Sequence, residues 1–229
     1  ELYLAEPNAR SQAQLRAPLA RTVDSLLAIS DFAAATAADE LHFPRERIAT
    51  IGAGVDSRFA APVDDPRARC CRVLPRSVGR YVVAVAGGDD RKNTEGLLRA
   101  WSHVVDALGG SHHLVIAAAH TAPVLRKWTA WAVEAGVSDS VTFTGALDDD
   151  ELVAVLQGAD LAVMPSLEEG FGLPVLEAAA CGVPAIASDV SSLPEVLSEP
   201  AACFDPHDPR AIADAIVRAL SNDQHRAVL

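Results

Sequence analysis

From Arg80 onward, short apolar runs alternate with longer stretches in which apolar residues recur every three or four positions. The short runs are 81–86 (YVVAVA), 114–118 (LVIAA), 141–144 (VTFT), 161–165 (LAVMP), 184–187 (PAIA) and 202–204 (ACF). Their length and composition predict strands. Segments 94–108, 122–135, 149–157, 174–181 and 209–220 lie between or after them and predict helices. Asp208-Pro209 supplies an N-cap followed by a proline at the first helical position, and Asp148 to Asp150 place negative charge at a helix start. Strands that are apolar throughout have no solvent face, so their sheet must be parallel and covered on both sides. The predicted fold is a doubly wound, Rossmann-like α/β domain over 80–229.

The first sixty residues hold an incomplete βαβ piece: a strand at 25–29 (SLLAI), a helix at 31–41, and a strand at 48–51 that ends in GAG. Residues 55–80 are rich in proline and charge without clear periodicity. They read as a crossover linker, and the domain boundary falls within it. The chain opens at Glu1 straight into patterned sequence, with neither an initiator methionine nor a signal-like segment, which suggests a fragment.

Composition narrows the classes. At 229 residues the chain is long for one ordinary domain and short for two. It is 50% hydrophobic and 22% charged, which suits a packed core rather than a disordered chain. A formal charge of −12 argues against a nucleic-acid surface, which needs a basic field. The one basic stretch, 10–21 (RSQAQLRAPLAR), reads as a solvated helix face. No apolar run approaches bilayer length, so no transmembrane segment is expected. Cys70, Cys71, Cys181 and Cys203 form no disulfide framework, CxxC pair or zinc spacing. They read as reduced thiols of a cytoplasmic protein, with no metal site.

The stretch 165–190, PSLEEGFGLPVLEAAACGVPAIASDV, carries the candidate chemistry. In open α/β sheets, ligands bind beyond the carboxyl ends of the strands, and this loop follows such an end. Gly170 and Gly172 allow close backbone approach, and the helix start behind them offers free amides and partial positive charge to a diphosphate. Glu177, expected in the first turn of that helix, can accept two hydrogen bonds from a vicinal diol. Glu169 is expected to face the same crevice. Taken singly, each glutamate reads as a turn or helix-start carboxylate that helps the dipole by under about 1 kcal/mol. Taken with the glycines, Phe171 and the strand-to-helix context, the pair reads as functional.

With E-x7-E spacing from Glu169 to Glu177, EGFGLPVLE resembles the signature of family-4 glycosyltransferases of the GT-B fold. The likeness extends to LAISDF at 27–32, GVDSRF at 54–59, VTFTGALDDDE at 141–151, ADLAVMPS at 159–166 and SLPEV at 192–196. It implies the C-terminal half of that architecture: 1–56 as a remnant of the N-terminal domain, 57–79 as linker, 80–229 as the nucleotide-sugar-binding domain. By the same likeness Glu177 holds the ribose hydroxyls of a nucleotide-sugar donor and Glu169 a hydroxyl of the transferred sugar. Gly170, Phe171, Gly172 and Leu173 line sugar and diphosphate, the main chain at Leu147 meets the base, and Lys92 neutralises the diphosphate. Many relatives carry an arginine straight after the glycine that ends the first strand. Here the motif is GGDDRKN, so Arg91 is either the second cation, offered from another position, or a surface cation.

The implied reaction is retaining and metal-independent transfer, with no cofactor. The acceptor (a sugar, lipid or small molecule) is bound mainly by the missing domain, which could also hold the protein against the inner face of the membrane. As a fragment, the chain is expected to bind a donor without turnover. A nucleotide-sugar-binding module without transfer activity is the alternative. An NAD-dependent oxidoreductase is a weaker one, because GAGVDS at 52–57 lacks the third glycine of a dinucleotide fingerprint. His120 reads as a loop histidine, Glu195 as a helix-start residue, and Trp101, Trp128 and Trp131 as helix-face packing.

Overall fold

The computed structural model describes residues 18–61, 65–226 and 229, with only the backbone described at 67, 68 and 223. Most of the basic stretch at 10–21 lies outside the described residues. The described residues form two parallel sheets. The smaller pairs β1 (Leu26–Ala28) with β2 (Ile48–Thr50), with α1 (Asp31–Leu41) between them in sequence. Ala28, Ala34, Phe43 and Ile48 form its own small core.

The larger sheet holds six strands: β3 (Tyr81–Val85), β4 (His113–Ala117), β5 (Val141–Phe143), β6 (Leu161–Met164), β7 (Ala185–Ser188) and β8 (Cys203–Phe204). Their spatial order is β5-β4-β3-β6-β7-β8, and every pairing is parallel. Residues on each strand alternate between two cores. Val82, Ala84, Leu114, Ile116, Leu161 and Val163 face one side, while Tyr81, Val83, Val115, Ala117, Ala162 and Met164 face the other. Both faces are apolar because both are covered, which is why these strands read as unbroken hydrophobic runs.

Helices α4 (Thr94–Leu108), α5 (Ala122–Glu134) and the C-terminal α9 (Pro209–Ser221) cover the first face, with Trp101, Ile212 and Ile216 fully buried. On the second lie α6 (Asp149–Gln157), α7 (Leu173–Ala180) and α8 (Leu193–Leu197), the last contributing the buried Leu193. The expected caps are in place. Asp148 and Glu151 form a reciprocal capping box on α6, and Asp208 accepts the Arg210 amide ahead of Pro209.

Residues 57–79 also hold two short helices, α2 (Ser57–Ala60) and α3 (Pro66–Cys70). Phe59, Cys70 and Leu74 sink into the second core beside Tyr81, so this segment packs on the large sheet. The four-residue α2 after GAGVDS is also far shorter than the helix a dinucleotide fingerprint opens. None of Cys70, Cys71, Cys181 and Cys203 is in a disulfide. Among the described residues, no helix is long and apolar enough to cross a membrane.

Candidate functional site

The order of the large sheet fixes where a ligand can enter. Counted within this sheet, the strands run 3-2-1-4-5-6, so the direction in which successive strands are added across the sheet reverses between β3 and β6. The loops leaving the carboxyl ends of those two neighbours diverge to opposite faces and open a crevice between them. One loop carries GGDDRKN at 87–93 and the other SLEEGFG at 166–172.

The two loops are fastened across this gap. The Leu167 amide donates to the Arg91 carbonyl at 2.7 Å. Lys92 Nζ lies 2.7 Å from Glu169 Oε1, with the two side chains only 18% and 11% exposed. Arg91 sits beside them rather than turning to solvent. Its Nε donates to Asp89 at 2.8 Å, its Nη1 to the Glu168 carbonyl at 3.1 Å, and Nη1 lies 4.0 Å from Glu169 Oε2. Burial by itself would raise the Asp89 carboxyl, but its hydrogen bonds from Arg91 outweigh that and hold it below the usual range. Arg91 therefore braces the acidic loop, and Lys92 points at its glutamate.

Glu177 is placed differently from the expectation. Helix α7 begins at Leu173, so Glu177 is its fifth residue and stands in the second turn. The helix dipole is therefore not its main partner. The carboxyl is half-buried, and that burial, with the charge of Asp149 close by, raises it above its ordinary value, while Lys92 pulls it back. Lys92 thus couples electrostatically to both glutamates of the E-x7-E pair. Arg58 on α2 pairs with Asp149, which ties the segment after β2 to this side of the crevice.

Gly172 is the N-cap of α7 with φ +107°, and no side chain caps the helix. A Cβ there would lie 2.7 Å from Leu193 Cδ2, so glycine is required by conformation and by space. Gly170 is exposed, while Phe171 is half-buried and Leu173 is 37% exposed along the same edge. Leu147 follows the left-handed Gly145 and packs partly against the second core, just before the α6 cap. His120 stacks edge-on against Trp128 at 5.7 Å and belongs to the first face's packing. Cys181, at the end of α7, is pushed up to about 11 by burial and by Glu177, which makes it an inert thiol.

Three serines were not singled out from sequence. Ser191 accepts the Glu169 amide at 2.9 Å, Ser192 donates to the Glu169 carbonyl at 2.9 Å, and Ser30 donates to the Gly170 carbonyl at 2.7 Å. The available signal was position: Ser191 and Ser192 follow β7, the strand beside β6, at its carboxyl end.

Known proteins share the sequence pattern and the fold. The profile of the family described as glycosyl transferases group 1 matches residues 74–229, more than half of the chain. The chain belongs to this family. Within the group 1 glycosyl transferases, it is 33% identical over 227 residues to the serotype-specific mannosyltransferase WbdA of Escherichia coli. That match takes in 97% of this chain and 28% of WbdA, so the chain spans about a quarter of that relative. Sucrose-phosphate synthase from Thermosynechococcus elongatus superposes with a TM-score of 0.80 at 25% identity, over 97% of this chain and 56% of that one. The Anabaena protein Alr3699/HepE, solved with UDP and glucose, gives a TM-score of 0.81 at 19% identity, over 97% and 61% of the respective chains. The fold is thus the Rossmann-like α/β architecture of GT-B glycosyltransferases.

Proposed function

We propose that this chain is the donor-binding part of a retaining glycosyltransferase that moves a sugar from a nucleotide sugar to an acceptor. The observation that carries the reading is the Lys92–Glu169 pair at 2.7 Å across the switch point, with the half-buried Glu177 inside the field of the same lysine. In this reading Glu177 accepts the two ribose hydroxyls and Glu169 a hydroxyl of the sugar. Amides of Gly170, Phe171, Gly172 and Leu173 line the sugar and the diphosphate, and the main chain at Leu147 meets the base.

Breaking the anomeric C–O bond puts negative charge on the departing diphosphate and positive charge on the sugar ring. Lys92 and the α7 amides answer the first, being preorganised before the donor arrives. Glu169 holds Lys92 in place until the diphosphate takes it over, which frees the carboxylate for the sugar. The positive charge comes from side chains and amides, so the reading calls for no metal. WbdA is a mannosyltransferase by name, and mannose is accordingly the sugar we assign first.

Thermal-shift measurement against GDP, UDP, ADP and NAD tests this. One nucleoside diphosphate should raise the melting temperature and its sugar nucleotide more so, with NAD inert. Glu169→Ala should weaken the sugar nucleotide more than the bare diphosphate. Stabilisation by NAD alone would remove the transferase reading.

A further inference from the structure

Gly170 and Gly172 follow Glu169, so local backbone preference does little to fix where its carboxylate points. Lys92 holds the carboxylate itself, and the segment 189–195, from the end of β7 into α8, holds the backbone beneath it. Ser191 Oγ takes the Glu169 amide and Ser192 Oγ gives its proton to the Glu169 carbonyl, so the peptide groups on both sides of the glutamate are gripped. Ser192 is fully buried, and Ser191 holds φ +54°, a left-handed conformation that costs energy for a residue with a side chain.

Glu195, three residues on, reaches toward the small unit. Its carboxylate accepts the Asp31 amide at 2.9 Å and the Phe32 amide at 2.7 Å, the first two residues of α1. Those amides have no acceptor within their own helix and carry its partial positive charge. A carboxylate from the large unit therefore caps a helix of the small one. Ser30, the N-cap of that helix, accepts the Ala33 amide and gives its hydroxyl proton to the Gly170 carbonyl. The contacts close a ring: α1, Ser30, Gly170, Glu169, Ser191 and Ser192, Glu195, and α1 again.

We propose that Ser191, Ser192 and Glu195 are positioning residues that tie the seating of α1 to the placement of Glu169, so that this carboxylate meets the donor's sugar only while the small unit is docked. This rests on the reading of Glu169 as the sugar contact. Each hydrogen bond of the ring goes to the Glu169–Gly170 backbone or to the start of α1, and short runs of chain join them. Undocking α1 withdraws the Ser30 hydroxyl from Gly170 and leaves Glu195 without its amides.

The test uses the whole chain, with calorimetry against GDP, GDP-mannose, UDP and UDP-glucose and with amide hydrogen exchange. Glu195 is exposed, so Glu195→Ala is expected to fold. Exchange should rise at 31–34 and, with it, at 168–172. Affinity for the sugar nucleotide should fall about fivefold, the worth of one ordinary hydrogen bond, with the nucleoside diphosphate unchanged. Glu195→Gln keeps one acceptor oxygen and should recover part of both effects. Ser192→Ala should reproduce the loss in sugar-nucleotide affinity. If exchange rises at 31–34 while 168–172 stays protected, Glu195 is a local cap and the proposal is overturned. Equal weakening of both ligands overturns it too, since that marks general loosening. If the unaltered chain binds no nucleotide, the proposed function fails, and the exchange measurement alone decides whether the two units are tied.

Discussion

Glu177 shows how far one residue's environment departs from its sequence context. Burial comes first in raising its carboxyl and Asp149 second, against the pull of Lys92. The sign follows directly. A folded-state pKa above the ordinary 4.5 means the folded chain binds this proton more readily than the unfolded one. The ionised carboxylate therefore costs stability, and that cost is relieved as pH falls from the raised value towards 4.5. Glu177→Gln should raise the melting temperature at pH 7, with the advantage shrinking in mild acid and gone below the ordinary carboxylate value. The same change should weaken nucleoside diphosphate binding about tenfold, since a hydrogen bond to a charged acceptor is lost. A melting temperature that falls, or an affinity that holds, would take Glu177 out of the site. The E-x7-E spacing was legible in the sequence, but the half-burial and the acidic neighbour were not. The neighbour, Asp149, stands at the start of α6, a separate element earlier along the chain.

Secondary structure was legible wherever elements were long enough to display a period. The helices at 94–108 and 149–157 match their sequence-derived bounds, and the strands of the large sheet differ from theirs by one residue at one or both ends. Helices α2 and α3 span only four and five residues, less than two turns, so no periodicity could announce them. Helix α7 begins one residue before the expected Pro174, because Gly172 at φ +107° turns the chain and leaves Pro174 as the second helical residue. That shift moved Glu177 out of the first turn. Gly172→Ala should therefore be costly, with a disallowed backbone and a contact on the buried Leu193. We expect about 2 kcal/mol of lost stability, read as a fall in denaturant midpoint. An unchanged midpoint would mean that the turn relaxes freely and that glycine is dispensable there.

At the scale of the whole molecule, two sheets of unequal completeness are joined through residues 57–79. The small one is a two-stranded parallel pair, and it leaves Leu27 69% and Ile51 64% exposed. Parallel sheets are ordinarily covered on both faces, so this unit carries apolar surface that the large sheet does not. The proposed reading assigns this chain the donor part of the reaction alone. The chain by itself should bind the donor and transfer nothing. Incubation with GDP-mannose or UDP-glucose and a panel of sugar acceptors checks this, and a glycosylated product would overturn it.

The sequence by itself determined the alternation of strand and helix, the two-faced burial of the sheet, and the glutamate pair beside its glycines. Those features are local, since periodicity, caps and spacing act within a dozen residues or so. Only the tertiary structure decided which loops meet. Lys92 and Glu169 are 77 residues apart, and they touch because β3 and β6 became neighbours when the chain reversed its winding. The serines that grip Glu169 and the carboxylate that caps α1 lie equally beyond local reading, for each acts on a backbone brought to it by packing.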